Sequence, residues 1–103
     1  YSLLRRWLYD HNWHIADEAL AQVDGRVYQI IKAERGQAEI SSELALKLGP
    51  VLLEKRPKLF ANHVENNLIS CHKVLTGLQK SAEPDRERIQ QVKAEIGELE
   101  GLL

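Results

Sequence analysis

The sequence contains no methionine and a single cysteine, Cys71. One thiol cannot close an internal disulfide, and without a second there is no Cys-x-x-Cys pair for a structural zinc or a redox centre. A reducing, cytoplasmic setting is therefore expected. No apolar run approaches the roughly 20 residues that span a bilayer. The opening Tyr1-Ser2-Leu3-Leu4-Arg5-Arg6 also lacks the apolar stretch of a signal peptide, so a soluble chain with no membrane partner is expected. Because Tyr1 is not an initiator methionine, the expectation is a trimmed product or a domain of a longer protein. Net charge is nearly absent as well: 14 Lys and Arg oppose 15 Asp and Glu, a formal charge of -1. No overall field draws in nucleic acid or an acidic surface, and any electrostatic function must come from uneven distribution.

What is present is enough for a core. Hydrophobic residues make up 44% and charged residues 28% of 103 residues, the balance of a folded chain. A fold of this length buries about two-thirds of its unfolded surface. Residues 1–103 read as a single helical domain, without internal repeats or low-complexity segments.

The periodicity reads as helical throughout. Leu3, Leu4, Trp7 and Leu8 share a face of a short helix over residues 2–9, and Asp10-His11-Asn12 supplies a turn. Ala16, Leu20, Val23, Val27 and Ile30 then recur at steps of three and four, which predicts one long helix over residues 13–35. Asp24-Gly25 is a turn dipeptide in other contexts, but the stripe runs through it, so Gly25 reads as a helix glycine. Gly36 ends that helix, and Ser41 or Ser42 caps the next. Gly49-Pro50 kinks or splits it. Pro57 opens a helix lined by Phe60, Val64, Leu68, Cys71, Leu75 and Leu78. Ser81 to Pro84 then breaks the chain. Ile89, Val92, Ile96, Leu99 and Leu103 follow at the spacing of a coiled-coil seam, a candidate partner interface that packs on the Phe60 helix or on another chain. The expected architecture is all-α, an antiparallel bundle of four or five helices.

Catalytic signals are few. His11, His14, Asp17 and Glu18 are close in sequence, but nothing elsewhere completes a metal site of three or four ligands, so no metal and no cofactor are expected. Cys71 and His72 are helix neighbours whose side chains diverge, and Cys71 lies on the apolar stripe, so it reads as a core residue. Trp7 and Trp13 read as core anchors in preference to an exposed patch. No phosphate-binding glycine loop or nucleophile triad is present, and the chain is expected not to be an enzyme.

Charge is more informative. From Lys47 to Lys80 there are six basic residues against the acids Glu54 and Glu65, whereas from Asp85 onward acids predominate. Lys58, Asn62, Asn66 and Lys73 recur at helical spacing opposite the Phe60 stripe, with Lys80 beyond them and Lys55-Arg56 just before. Lysines supply charge and asparagines hydrogen bonds for phosphate contacts, so Lys55, Arg56, Lys58, Asn62, Asn66, Lys73 and Lys80 are the candidate nucleic-acid-binding residues. An ordinary solvated face has the same pattern.

Three landmarks in order, Gly25-Arg26-Val27-Tyr28, Phe60 through Asn62-His63 to Leu68, and Ala94-Glu95-Ile96-Gly97-Glu98-Leu99, give a resemblance to a known family. They resemble the small-subunit-like C-terminal helical region of the large subunit of type I CRISPR surveillance complexes. His63 stands alone where that family tends to have adjacent histidines. The resemblance implies a non-catalytic accessory subunit of antiviral defence that guides single-stranded DNA or RNA within a protein assembly. The alternative reading is a protein-interaction or self-association module acting through the Ile89 to Leu103 seam, with no nucleic-acid role.

Overall fold

A computed structural model describes all 103 residues. It corrects the all-α expectation. The chain begins with α1 (Ser2–Asp10), and an antiparallel hairpin of β1 (Trp13–Val23) and β2 (Arg26–Arg35) replaces the expected long helix. Two short helices follow, α2 (Glu43–Leu48) and α3 (Pro50–Lys55), then the long α4 (Phe60–Lys80) and α5 (Arg86–Glu100). They form two units, Tyr1–Phe60 and Ala61–Leu103.

The hairpin has a local cause. Asp24 and Gly25 both take positive φ, 50° and 77°, the conformation of a tight turn whose twist matches the flanking strands. Pairing then runs from Val23 opposite Arg26 to Trp13 opposite Arg35, with one irregularity between Ile15 and Asp17. The bulge shifts the alternation of β1, so the face shared with Val27, Gln29, Ile31 and Ala33 carries Ile15, then Glu18, then Leu20. The apparent helical stripe draws on both faces of the hairpin, Leu20 and Val27 on this one and Val23 and Ile30 on the other, and apolar residues taken from both faces of two strands imitate the steps of a helix.

Two charged side chains organise this unit. Arg5 on α1 is fully buried and Glu18 on β1 is nearly so. The Arg5 Nη2 lies 2.8 Å from Glu18 Oε2, and its Nε donates to the same oxygen at 2.9 Å. The other Arg5 contacts are with Gln29 Oε1 at 2.7 Å and with the carbonyls of Leu46 at 3.0 Å and Lys47 at 3.2 Å. Those carbonyls belong to the last turn of α2, where helix oxygens lack partners of their own. Glu18 Oε1 in turn accepts from the amides of Val51 at 2.9 Å and Leu52 at 3.4 Å, the first donors of α3. The N-cap of α3 is Gly49, which has no side chain to do this. Gly49 sits at φ 105°, and a Cβ there would lie 2.6 Å from Glu18 Oε2 and 2.8 Å from Arg5 Nη2. The ion pair therefore joins α1, both strands and the α2–α3 junction.

The remaining elements follow their sequence signals more closely. Ser42 caps α2, its Oγ accepting from the Ala45 amide at 3.0 Å, and Gly49-Pro50 separates α2 from α3. Pro57 precedes α4 by a turn, accepting from the Phe60 amide at 2.8 Å, so the helix opens later than Pro57. Asp85 caps α5 through the Arg88 amide. In the second unit Val64, Cys71, Val92, Ile96 and Leu99 are buried, and Cys71 Sγ lies 3.6 Å from Glu95 Oε2, so α4 and α5 meet along their apolar stripes. No helix is long and apolar enough to cross a membrane.

Removing one partner of a buried ion pair leaves a charge without compensation, at a cost of about 3–5 kcal/mol. Glu18→Ala is therefore expected to lower the urea unfolding free energy by about that amount, since it also uncaps α3. A loss below about 1 kcal/mol would show that the pair does not organise the unit. A second pair, Lys55 Nζ to Asp17 Oδ1 at 2.7 Å, is exposed. The hydrogen bond from Lys55 holds the Asp17 carboxyl below its ordinary value, with the Glu18 amide and the Lys55 charge assisting. A depressed carboxyl favours the fold above its unfolded pKa and loses that contribution as pH falls through the folded value. An NMR titration should find Asp17 below the ordinary carboxylate range and find it raised toward that range in Lys55→Met, with the Glu18 amide keeping part of the depression.

Candidate nucleic-acid interface

The 21 residues of α4 have few features that could end a helix early, and most of their apolar residues fall on one stripe, with Ile69 and Val74 exposed outside it. Burying that stripe turns the opposite face outward. Asn62, Asn66, Lys73 and Lys80 are all exposed on it. Beside Lys73 the surface is hollowed into an open cavity of about 420 Å³ lined by Ile69, His72, Lys73 and Thr76. Ile69 is 55% exposed, a large apolar side chain at the floor of a polar face. The Thr76 hydroxyl donates back to the His72 carbonyl at 2.9 Å, which fixes its rotamer. The hollow thus offers a cation, an imidazole and an apolar surface within two turns of helix, groups suited to a phosphate and a neighbouring base or ribose. Sequence reasoning named Lys73 but missed Ile69, His72 and Thr76. The signal available was Ile69, an isoleucine out of register with the Phe60 stripe.

The other candidate residues belong to the first unit. Lys58 is exposed in the turn before α4. Lys55 is engaged by Asp17, and Arg56, at φ 45°, places its guanidinium 5.6 Å above the Phe60 ring and donates to the Leu53 carbonyl at 3.3 Å. These two cations already have intramolecular roles. Of the seam residues, Val92, Ile96 and Leu99 are buried within the chain itself, Ile89 is half-buried and Leu103 is 59% exposed.

The histidine and acid cluster near residue 14 is dispersed by the hairpin. Glu18 points to Arg5, Asp17 to Lys55, and His14 Nε2 lies 3.9 Å from Glu34 Oε2. Trp7 is half exposed and stacks on His11, with ring centroids 4.1 Å apart, and Trp13 lies under the Arg35 guanidinium at 4.8 Å. Trp7 is thus not the core anchor expected of it. A second cavity of about 420 Å³, lined by Tyr9, Asn12, Gln37, Ala38 and Glu39, opens where α1 meets β1. Burial raises the Tyr9 phenol above its ordinary value, helped by the nearby Glu18 charge.

Comparison with known proteins places this fold. The tRNA (adenine(22)-N(1))-methyltransferase of Bacillus subtilis (strain 168) is 22% identical over 90 residues, which cover 82% of this chain and 38% of that protein. The crystal structure of Sp1610 from Streptococcus pneumoniae, also determined in complex with S-adenosyl-L-methionine, superposes with a TM-score of 0.78 at 24% identity, over 99% of this chain and 44% of that one. A protein of the NADB-Rossmann superfamily from Streptococcus agalactiae gives 0.75 at 21% identity, over 99% and 43%. The chain spans less than half the length of each of these relatives.

These findings overturn the CRISPR resemblance, and with it the expected non-catalytic accessory subunit of antiviral defence and the alternative interaction module. The landmark Gly25-Arg26-Val27-Tyr28 is a hairpin turn and the start of a strand, not part of a helix. The expectation of a non-enzyme falls with it, because the matched family is one of enzymes. Residues 1–101 match the family model TrmK, tRNA (adenine(22)-N(1))-methyltransferase, and the chain belongs to that family.

Proposed function

We propose that this chain is the tRNA-engaging portion of a cytoplasmic tRNA adenine-N1-methyltransferase, with α4 as the element that meets the RNA backbone. The match of residues 1–101 to the methyltransferase family carries the reading. The exposed Asn62, Asn66, Lys73 and Lys80, with the hollow beside Lys73, supply the chemistry. Lysines neutralise phosphates and the amides donate and accept hydrogen bonds without demanding a sequence, as suits an enzyme that holds a folded RNA by its backbone.

The methyl donor is a separate matter. Nucleotide cofactors are commonly cradled by a glycine loop between a strand and the helix after it. Here the sheet is an antiparallel hairpin. Its turn glycine, Gly25, joins two strands, and Gly49 is filled by the Arg5–Glu18 pair. The residues present do not fit such a cofactor, and no step of methyl transfer is derived through them. In this reading donor binding belongs to the part of the enzyme that the relatives carry outside the matched stretch.

The test is binding of an unmodified tRNA transcript to the purified chain across a salt series. Lys73→Glu with Lys80→Glu should weaken binding about tenfold or more at moderate salt and flatten the log–log salt slope by about 1.4–1.8, the loss of two phosphate contacts. Circular dichroism should be unchanged, since both side chains are exposed. Equal affinity and equal slope would remove α4 from the interface.

A further inference from the structure

We propose that the hollow beside Lys73 seats one unpaired nucleobase on Ile69 and the His72 ring, so that α4 distinguishes RNA with an unstacked nucleotide from a continuous duplex. The inference rests on the reading of α4 as an RNA face and names what that face selects.

Along the outer side of α4, Asn62, Asn66, Ile69, Lys73, Thr76 and Lys80 follow one another at alternating steps of four and three, which keeps them in a single row. All six are exposed. Phosphate contacts account for the lysines and asparagines of the row, but not for Ile69, which stands in its middle with 55% of its surface in solvent. A lone exposed isoleucine needs no explanation by itself. Here it shares a concavity of about 420 Å³ with His72, Lys73 and Thr76, a volume within the range of pockets that take small molecules. An aliphatic surface beside an imidazole plane suits the flat face of a base, because every base has a π-face and histidine is among the side chains on which splayed-out bases stack.

The other groups fit the remainder of a nucleotide. Lys73 is four residues beyond Ile69, about 6 Å along the helix axis. Its ammonium is exposed and has no intramolecular partner, unlike that of Lys55. The Thr76 hydroxyl donates to the His72 carbonyl, so its oxygen keeps lone pairs that can accept from the exocyclic amine of a base. From Asn66 to Lys80 the helix carries two lysines and no acid, which is complementary to an anionic strand. Bases inside a duplex keep their faces in the stack, and only an unpaired nucleotide has one to offer.

A second helix fits the row less well. A helix–helix seam takes apolar residues at these positions, and Ile69 is the one apolar residue among the six. Two lysines would also be drawn into the contact, where their charges are costly to bury.

The experiment measures binding of the purified chain to a mixed-sequence single-stranded RNA of about ten nucleotides, a length within the span of single-strand binding sites, and to a blunt duplex of the same sequence. NMR follows the Ile69 methyl and His72 ring signals. Expected are shifts of both signals on adding the single strand, and a loss of single-strand affinity of about fivefold or more in His72→Ala. The salt slope should stay unchanged, since no phosphate contact is removed. His72→Phe should retain the affinity, because its ring stacks without a charge, and duplex binding should be the same for all three proteins. Equal weakening toward both RNAs, failure of His72→Phe to retain affinity, or an unmoved Ile69 signal at saturation would overturn the proposal. A shift of Ile69 that grows with protein concentration in the absence of RNA would assign the row to a second copy and overturn it as well. The two readings fail separately: a flattened salt slope in Lys73→Glu, Lys80→Glu with no effect of His72→Ala removes the nucleobase and keeps the RNA face, whereas no effect of either variant removes both.

Discussion

The contact between Arg5 and Glu18 is the constraint on which the first unit depends. A guanidinium and a carboxylate are costly to take out of water, and their mutual attraction repays the cost only when the remaining hydrogen-bonding positions are also filled. Here they are filled by backbone. Arg5 takes the last carbonyls of α2, and Glu18 takes the first amides of α3. Each charge thus meets the helix end whose partial charge is opposite to its own. The pair and the helix junction specify one another: without a glycine at 49 the charges do not fit, and without the charges the two short helices lose their caps. Six-residue helices have little stability of their own, so their ends decide whether they form.

The same pair explains why the sequence misleads over residues 13–35. Alternation of apolar and polar residues marks a half-buried strand, but the buried face here includes Glu18 and Gln29, both polar because Arg5 needs partners. The bulge after Ile15 breaks the alternation at the start of β1, and beyond it apolar residues stand on both faces, Leu20 and Val27 on one and Val23 and Ile30 on the other. What remains visible is a set of apolar residues at steps of three and four. Asp24-Gly25 was the decisive signal, and it outweighs the stripe physically because two consecutive positive φ values cannot occur inside a helix. By contrast, the Ser42 cap, the Gly49-Pro50 break and the stripes of α4 and α5 were legible, because each depends on residues within a turn or two of one another. The buried ion pair spans 13 residues and its bond to the α2 carbonyl spans 41, separations that no local pattern reports.

The candidate site was legible in part for the same reason. Helical periodicity alone places Asn62, Asn66 and Lys73 on one face, and the helix is real, so those positions are exposed as expected. Charge alone points to Lys55 and Arg56, and tertiary partners take both. The family was not legible at all. Its assignment rests on similarity along residues 1–101, whereas three short landmarks could be matched by chance in any helix-rich chain.

A near-neutral chain can still meet a polyanion, because net charge governs only what is felt from far away. At physiological ionic strength charges are screened over about 8 Å. Lys73 and Lys80 are seven residues apart on one helix, about 10.5 Å along its axis. In the proposed interface each would therefore meet a phosphate of its own. A charge of -1 on this chain supplies no long-range steering. Contacts made after encounter would be unaffected by that, so the proposed use of α4 would depend on local spacing and exposure, both of which the helix supplies.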